Sequence, residues 1–214
     1  MTLHEPLTAV TDFLLAALCL FFFASLSREF SSRRQLFVLF WAGTFLMAAV
    51  GALAGGISHG FKPYFSELVK ILVWKTAVFS IGIASLGMLG GTILLSFRRS
   101  LAGRILMGAA FLKFFVFAGV MARSDRFLYV IIDYLFSMAV VLLLSLKDRS
   151  HPGGGSSWIA AGLLLSFAAA GVQQSALFWG PLNHNDLYHV IQMLAFTFLF
   201  KGVKLRSSSL EPPL

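Results

Sequence analysis

Long apolar segments separated by short loops set the limits on what this chain can fold into. About 20 mostly apolar residues cross the hydrocarbon core of a bilayer, and the sequence contains seven segments of about this length. They cover residues 7–26, 36–57, 68–97, 105–122, 127–146, 158–178 and 186–200. Together they use nearly the whole chain of 214 residues. We therefore predict an all-α integral membrane bundle of seven transmembrane helices over residues 1–206, followed by a disordered tail over 207–214.

The low fraction of charged residues also indicates a membrane protein. Only 12% of the residues are charged, against about 25% in a soluble domain. A net charge of +8 would also suit a nucleic-acid partner, but the basic residues fall in short loops between apolar segments, as membrane topology requires. We expect membrane lipid as the partner and no nucleic acid.

Lysine and arginine are divided unequally between the two sides of the predicted bundle. The loops after spans one, three and five, with the tail, carry most of them: Arg28, Arg33, Arg34, Arg98, Arg99, Arg104, Lys147, Arg149, Lys201, Lys204 and Arg206. The other side holds Lys62, Arg123 and Arg126, with Lys70 close by. Because basic loops stay in the cytoplasm, we predict an N-terminus outside and a C-terminus in the cytoplasm, in a plasma membrane or bacterial inner membrane.

Small residues are frequent in the predicted spans. Gly87 and Gly91 in span three form a GxxxG pair, which lets two helices approach closely. Such a pair serves either packing within the chain or a homodimer face. We favour packing within the chain and keep the homodimer as the alternative.

The richest concentration of polar chemistry is the short stretch Asn183–His189 at the start of span seven. On a helix, residues three or four apart share a face, so Asn185 and His189 form one stripe. Asp186 and His189 form a neighbouring stripe. His184 lies one turn outward from His189.

Polar residues of several spans reach the same depth as this stretch. Span two ends there with Ser58 and His59. Other spans contribute Asp12, Lys75, Asp133, Gln173 and Gln174 at that level. Since polar groups at membrane depth are costly and usually mark a site, we predict a pocket at the outer face.

The residue types in this predicted pocket suit a catalytic zinc ion, which needs about three protein ligands and an open position for water. His59 and His189 are the first two candidate ligands, and the third is His184, Asp186 or Asn185. A metal-bound water can ionise near neutral pH. Asp133 or Asp12 would orient it, and Ser58 would donate a hydrogen bond to a developing oxyanion. Lys75, Asn185, Gln173 and Gln174 would line the pocket.

Structural roles remain open for several of these side chains. His59 can cap span two at the interface, and His184 can be an exposed loop residue. His189 can be a hydrogen-bonded core histidine, and Lys75 with Asp133 can form a structural ion pair.

The span count, His59 and the run Asn185–His189 resemble the alkaline ceramidase, progestin/adiponectin receptor and Per1 superfamily of seven-helix membrane proteins. That family carries Ser-x3-His on span two, an Asp on span three and His-x3-His on span seven. Here Gly55 stands at the serine position, Asn185 at the first span-seven histidine, and span three has no Asp.

This resemblance implies a zinc-dependent hydrolase of lipid amide or ester bonds, with the lipid entering from the bilayer. Two other functions remain open at this point. One is a non-catalytic seven-helix sensor or scaffold with an outer-face ligand pocket. The other is a small proton-coupled transporter using Asp12, Lys75, Asp133 and His189.

Overall fold

The computed structural model describes residues 2–97, 100–148 and 154–210. Within these residues the chain forms seven α-helices and a short 3-10 turn over Lys62–Tyr64, so the prediction of an all-helical protein is confirmed. The helices are α1 Pro6–Arg33, α2 Leu36–Phe61, α3 Glu67–Phe97, α4 Leu101–Arg123, α5 Leu128–Lys147, α6 Gly155–Gln173 and α7 His184–Ser209. Six of them, α1 to α6, are long and apolar enough to cross a membrane.

The helix ends follow local sequence signals. Pro6 opens α1, where its missing N–H would have had no partner inside the helix. The Ser100 hydroxyl accepts a hydrogen bond from the Gly103 N–H at 3.0 Å and caps α4. Asn183 and Asp186 form a capping box that begins α7. Such caps satisfy N–H groups that the first turn of a helix leaves open.

The helices pack largely in chain order, and the last returns to the first. α2 packs against α1 and α3, α6 packs against α5 and α7, and α7 packs against α1. α4 leans mainly on α3 and is otherwise exposed. α1 and α7 run parallel: Thr8 contacts Asp186 where both begin, and Glu29 contacts Ser207 where both end. We call the end with Asp12 and Asp186 the polar end and the opposite end the basic end.

Glycines on α3 allow close contact with α2. A Cβ atom added to Gly87 would lie 2.6 Å from Thr44 Oγ1, and one added to Gly91 would lie 2.7 Å from the Trp41 ring. Trp41 is fully buried there. The prediction that the GxxxG pair serves packing within the chain is therefore confirmed.

The helix bounds differ from the apolar segments that predicted them. α1 continues to Arg33, and α7 continues to Ser209, past the predicted end of the domain at residue 206. Ser207 is buried. α6 ends at Gln173, and a bridge between Trp179 and Leu182 closes the following turn. Hydropathy marks where hydrocarbon ends, whereas a helix continues as long as its backbone bonds are supported. Arg98, Arg99, Arg149 and tail residues 211–214 lie outside the described residues.

Candidate functional site: a buried carboxylate and imidazole between α1 and α7

Polar side chains on facing stripes of α1 and α7 meet at the polar end. Thr8, Thr11 and Asp12 are three and four residues apart on α1, which places them on one helical face. Asp186 and His189 share a face of α7 for the same reason. All five are buried, with Asp12 only 3% exposed and His189 only 6% exposed.

His189 is held through both ring nitrogens. Its Nε2 lies 3.1 Å from Asp12 Oδ1, and its Nδ1 lies 2.9 Å from Thr11 Oγ1. The Thr11 hydroxyl itself donates to the Thr8 carbonyl at 3.0 Å. The Thr11 hydroxyl has one hydrogen, which we assign to the Thr8 carbonyl. With this assignment the Thr11 oxygen accepts from Nδ1–H.

This assignment of hydrogens has a direct consequence for Nε2. In neutral imidazole with a proton on Nδ1, Nε2 carries a lone pair. An ionised Asp12 carboxylate is also an acceptor only, so two acceptors face each other at 3.1 Å. Moreover, Asp12 Oδ2 is buried and has no hydrogen-bond partner among the described residues. The contact is complete only with a proton or another cation between the two side chains.

Both carboxylate oxygens of Asp186 accept hydrogen bonds from nearby residues. Its Oδ1 accepts from the Thr8 hydroxyl at 2.7 Å, and its Oδ2 accepts from the Asn183 N–H at 2.9 Å. The Asn183 side chain in turn accepts from the Asp186 N–H at 3.0 Å. A carboxylate at a helix N-terminus also complements the helix dipole. Asp186 therefore fixes the start of α7 against α1.

His59 lies at the same end and is held by the segment that precedes α1. Its Nδ1 is 2.7 Å from Glu5 Oε2, and the Glu5 N–H donates to the His59 carbonyl at 3.1 Å. One turn earlier on α2, a Cβ atom on Gly55 would lie 3.0 Å from Asp12 Oδ1. The end of α2 thus packs directly against Asp12.

Four other predicted pocket residues have different surroundings. The His184 ring lies edge-on to Phe178, with 6.3 Å between ring centroids. The Asn185 N–H donates to the capping Asn183 at 2.8 Å. Gln173 and Gln174 stand where α6 ends. Within the described residues, no hydrogen bond joins any of the four to Asp12 or His189. Ser58 lies partly buried on α2 beside His59.

The ion pair left open between Lys75 and Asp133 does not form. Lys75 Nζ lies 2.7 Å from Asp125 and donates to the Met121 carbonyl at 2.6 Å, since it faces the turn between α4 and α5. Asp133 instead pairs with Lys113 of α4 at 2.6 Å. Asp133 therefore belongs to a second buried polar cluster of α3, α4 and α5, and no hydrogen bond or ion pair of the described residues connects it to His189.

In this second cluster the Lys113 ammonium uses all its hydrogens. It donates to Ser137 Oγ at 2.7 Å and to Ser85 Oγ at 3.0 Å, besides the Asp133 carboxylate. The Ser85 hydroxyl donates to Ser137 at 2.8 Å. Three helices are thus joined by one ammonium group.

Sequence reasoning missed Thr8, Thr11 and Glu5 as partners in the first cluster, and it gave Lys113 no role in the second. A signal for the threonines was present: Thr8, Thr11 and Asp12 recur at helical spacing within an apolar segment. No comparable signal paired Lys113 with Asp133, because their helices meet only in the folded bundle.

Residues 7–208 match a family described as a family of unknown function (DUF6962). The chain belongs to this family. The match runs from α1 into α7 and so includes both halves of the Asp12–His189 contact. No curated protein matches the chain, and no solved structure matches it.

The side chains at the polar end supply some, but not all, of the ligand atoms that a metal ion needs. Among the residues that the structure describes, no three His, Cys, Asp or Glu side chains are grouped so that they would hold one. Asp12 and His189 nevertheless supply two converging donor atoms, and Asp12 Oδ2 is a buried donor without a partner. The pair fits two of the ~3 protein ligands that a catalytic zinc takes.

Proposed function

We propose that this protein is a seven-helix membrane hydrolase in which Asp12 and His189 bind a zinc ion and the substrate is an ester or amide of a membrane lipid. The proposal rests on the contact between His189 Nε2 and Asp12 Oδ1, which lie 3.1 Å apart and are both acceptors in the tautomer that we assign. A cation satisfies both of them. Zinc suits a nitrogen and carboxylate donor set.

Two observations support α7 as the seventh span. Its 26 residues are long enough to cross a bilayer. It also lies parallel to α1, which is apolar enough to cross, with contacts near both ends of the pair. With the basic end in the cytoplasm, as the Lys and Arg bias favours, the polar end faces outward and the N-terminus lies outside.

His59 is the third ligand that we propose, and its ring would have to move toward Asp12 and His189, because the three side chains are not grouped for a metal ion among the described residues. Metal-binding histidines usually pass their second ring N–H to a carboxylate or another acceptor, which fixes the tautomer. Both histidines are held in this way, His59 by Glu5 and His189 by Thr11. Each thereby has Nε2 left as the ligand atom. Zinc would supply an activated water at this position.

The position of Asp12 also fits the resemblance to the alkaline ceramidase superfamily. The serine of that family's span-two motif corresponds to Gly55 here. The space beside Gly55 is taken by the Asp12 carboxylate, 3.0 Å from where a Cβ atom would be. Asp12 therefore brings a carboxylate from α1 into a pattern whose third span has none.

Access from the bilayer favours a lipid substrate. Leu7, Val10 and Leu14 on α1 are between 42% and 54% exposed, and Val190 on α7 is 46% exposed. These apolar side chains lie within two turns of Asp12 or His189 along their helices. In this proposal a lipid enters beside these side chains, and the buried polar pair meets its head region.

The same contact favours a second candidate function, a non-catalytic proton-binding sensor. A distance of 3.1 Å between Nε2 and Oδ1 is a hydrogen-bond distance. One proton shared between Asp12 and His189 would satisfy both acceptors without a metal ion.

Zinc analysis of the full chain purified in detergent separates these candidates. We expect about one zinc per chain, as a catalytic site with three protein ligands would hold. It should be lost in Asp12→Asn, His189→Ala and His59→Ala and kept in the matched control His184→Ala. Lipid esters and amides would then be screened for hydrolysis.

Absence of zinc from the wild type, even after zinc is supplied during expression, would contradict the hydrolase and leave the sensor. Zinc that survives Asp12→Asn and His189→Ala would place the metal elsewhere.

A further inference from the structure

An apolar groove opens on the bundle surface between α2, α3 and α4, far from the Asp12–His189 contact. We call it the α2–α4 groove. Its volume is about 390 Å³, and its walls include Phe40, Gly43 and Met47 of α2, Gly87 of α3 and Phe111 of α4. This volume falls within the ~300–1,000 Å³ typical of small-molecule sites.

Two glycines create the α2–α4 groove. Gly43 has no atom within 4 Å of where its Cβ would be, so the space in front of it is open. Gly87 lets α3 approach α2 so closely that a Cβ atom there would meet Thr44. The peripheral position of α4 completes the groove, because α4 packs mainly on α3 and leaves the α2 surface uncovered.

Arg104 lies on the groove side of α4, between the groove and the basic end. Arg104, Met107 and Phe111 are three and four residues apart on α4, so they share one helical face. Arg104 lies about 10 Å from Phe111 along the helix axis, at a rise of about 1.5 Å per residue. Arg104 is exposed, and no carboxylate of the described residues forms an ion pair with it. Met107 lies near Phe40 over Gly90, which continues the apolar wall between Arg104 and the groove.

We propose that the α2–α4 groove binds one acyl chain of an anionic phospholipid whose phosphate lies against Arg104. The apolar walls suit hydrocarbon, and the guanidinium pairs with a phosphate through charge-assisted hydrogen bonds. An α-helix is about 10 Å across, so a second copy of this chain would cover the groove without filling it. Basic residues at the membrane surface attract anionic lipid.

Photocrosslinking tests this site in full-length protein reconstituted in phosphatidylcholine vesicles. One set of vesicles contains a phosphatidylglycerol probe with a diazirine on its acyl chain, and the other contains the matching phosphatidylcholine probe. We expect the phosphatidylglycerol probe to label Phe40, Met47 or Phe111 more strongly. Arg104→Gln should reduce that preference about fivefold, the factor that corresponds to ~1 kcal/mol per basic residue near the surface.

Gly43→Phe should remove labelling of the groove by filling it. The matched control is Gly171→Phe on α6, another helical glycine with nothing within 4 Å of its Cβ position. That variant should label like the wild type. Equal labelling by both probes, unchanged by Arg104→Gln, would overturn the proposal and indicate ordinary solvation by bilayer lipid. Crosslinks from one chain to another through the groove would overturn it in favour of a homodimer.

Discussion

Two buried polar clusters in this bundle look alike but differ in their hydrogens. Each contains one aspartate with one oxygen in contact and the other oxygen without a described partner: Asp12 at the polar end and Asp133 among α3 to α5. Lys113 brings Asp133 a positive charge and donated hydrogens. In the tautomer that we assign, His189 brings Asp12 a lone pair, because the imidazole proton lies on Nδ1 toward Thr11.

The difference separates a structural cluster from a candidate functional one. Buried charges are tolerated when they are paired and hydrogen-bonded, and the Lys113 cluster meets both conditions. Two facing acceptors are stable only when a proton or another cation joins them. The Asp12 cluster is therefore a candidate binding site for a proton or a metal ion. Burial of ionisable residues in apolar helices is therefore weak evidence for function by itself. The hydrogen-bond donors and acceptors of each cluster must also be compared.

The largest effect should come from breaking the Lys113 cluster. Asp133→Asn leaves a buried ammonium without its counter-charge, which typically costs about 3–5 kcal/mol. Unfolding of the purified protein by SDS in mixed micelles measures this loss. The double variant Lys113→Met with Asp133→Leu should recover most of it. If the double variant is as unstable as the single one, the cluster is not a paired structural unit.

A smaller effect should follow from removing the hydrogen-bond partner of His189 Nδ1. Thr11→Val leaves a buried N–H unsatisfied and should destabilise the protein by about 1–3 kcal/mol. Thr11→Ser keeps the hydroxyl and should restore both stability and tautomer. Nitrogen-15 NMR of the His189 ring reads the tautomer directly. A wild-type proton on Nε2 would contradict the assignment.

The smallest change in stability should come from Asp12→Asn. The amide has nearly the shape of the carboxylate, and its NH₂ group can donate to the lone pair of Nε2. We expect less than about 1 kcal/mol of change in the unfolding free energy of the zinc-free protein, together with complete loss of zinc binding. If Asp12→Asn lowers the unfolding free energy as much as Asp133→Asn does, the two clusters are equivalent and the difference proposed between them is wrong.

The sequence predicted the helices better than it predicted their polar contacts. Apolar segments of bilayer length are a local signal, and they located all seven helices. Pairing across the bundle is not local: Asp133 was expected beside Lys75 because both fall near one depth, but depth does not specify which helix face a side chain occupies. The Asp12–His189 contact joins helices at opposite ends of the chain, and only the seven-helix arrangement brings them together.

The return of α7 to α1 has a consequence for how the protein is made. Thr8 and Asp186, which are in contact, are separated by 178 positions in the chain, so α1 leaves the ribosome well before its partner does. α7 is the one described long helix that is not among the candidate spans, and it packs on α1 and α6 once it is made. Until then Asp12 is exposed in a nascent chain. A stalled or truncated product therefore keeps an apolar helix with an unpaired carboxylate, and this feature distinguishes an unfinished molecule from a finished one.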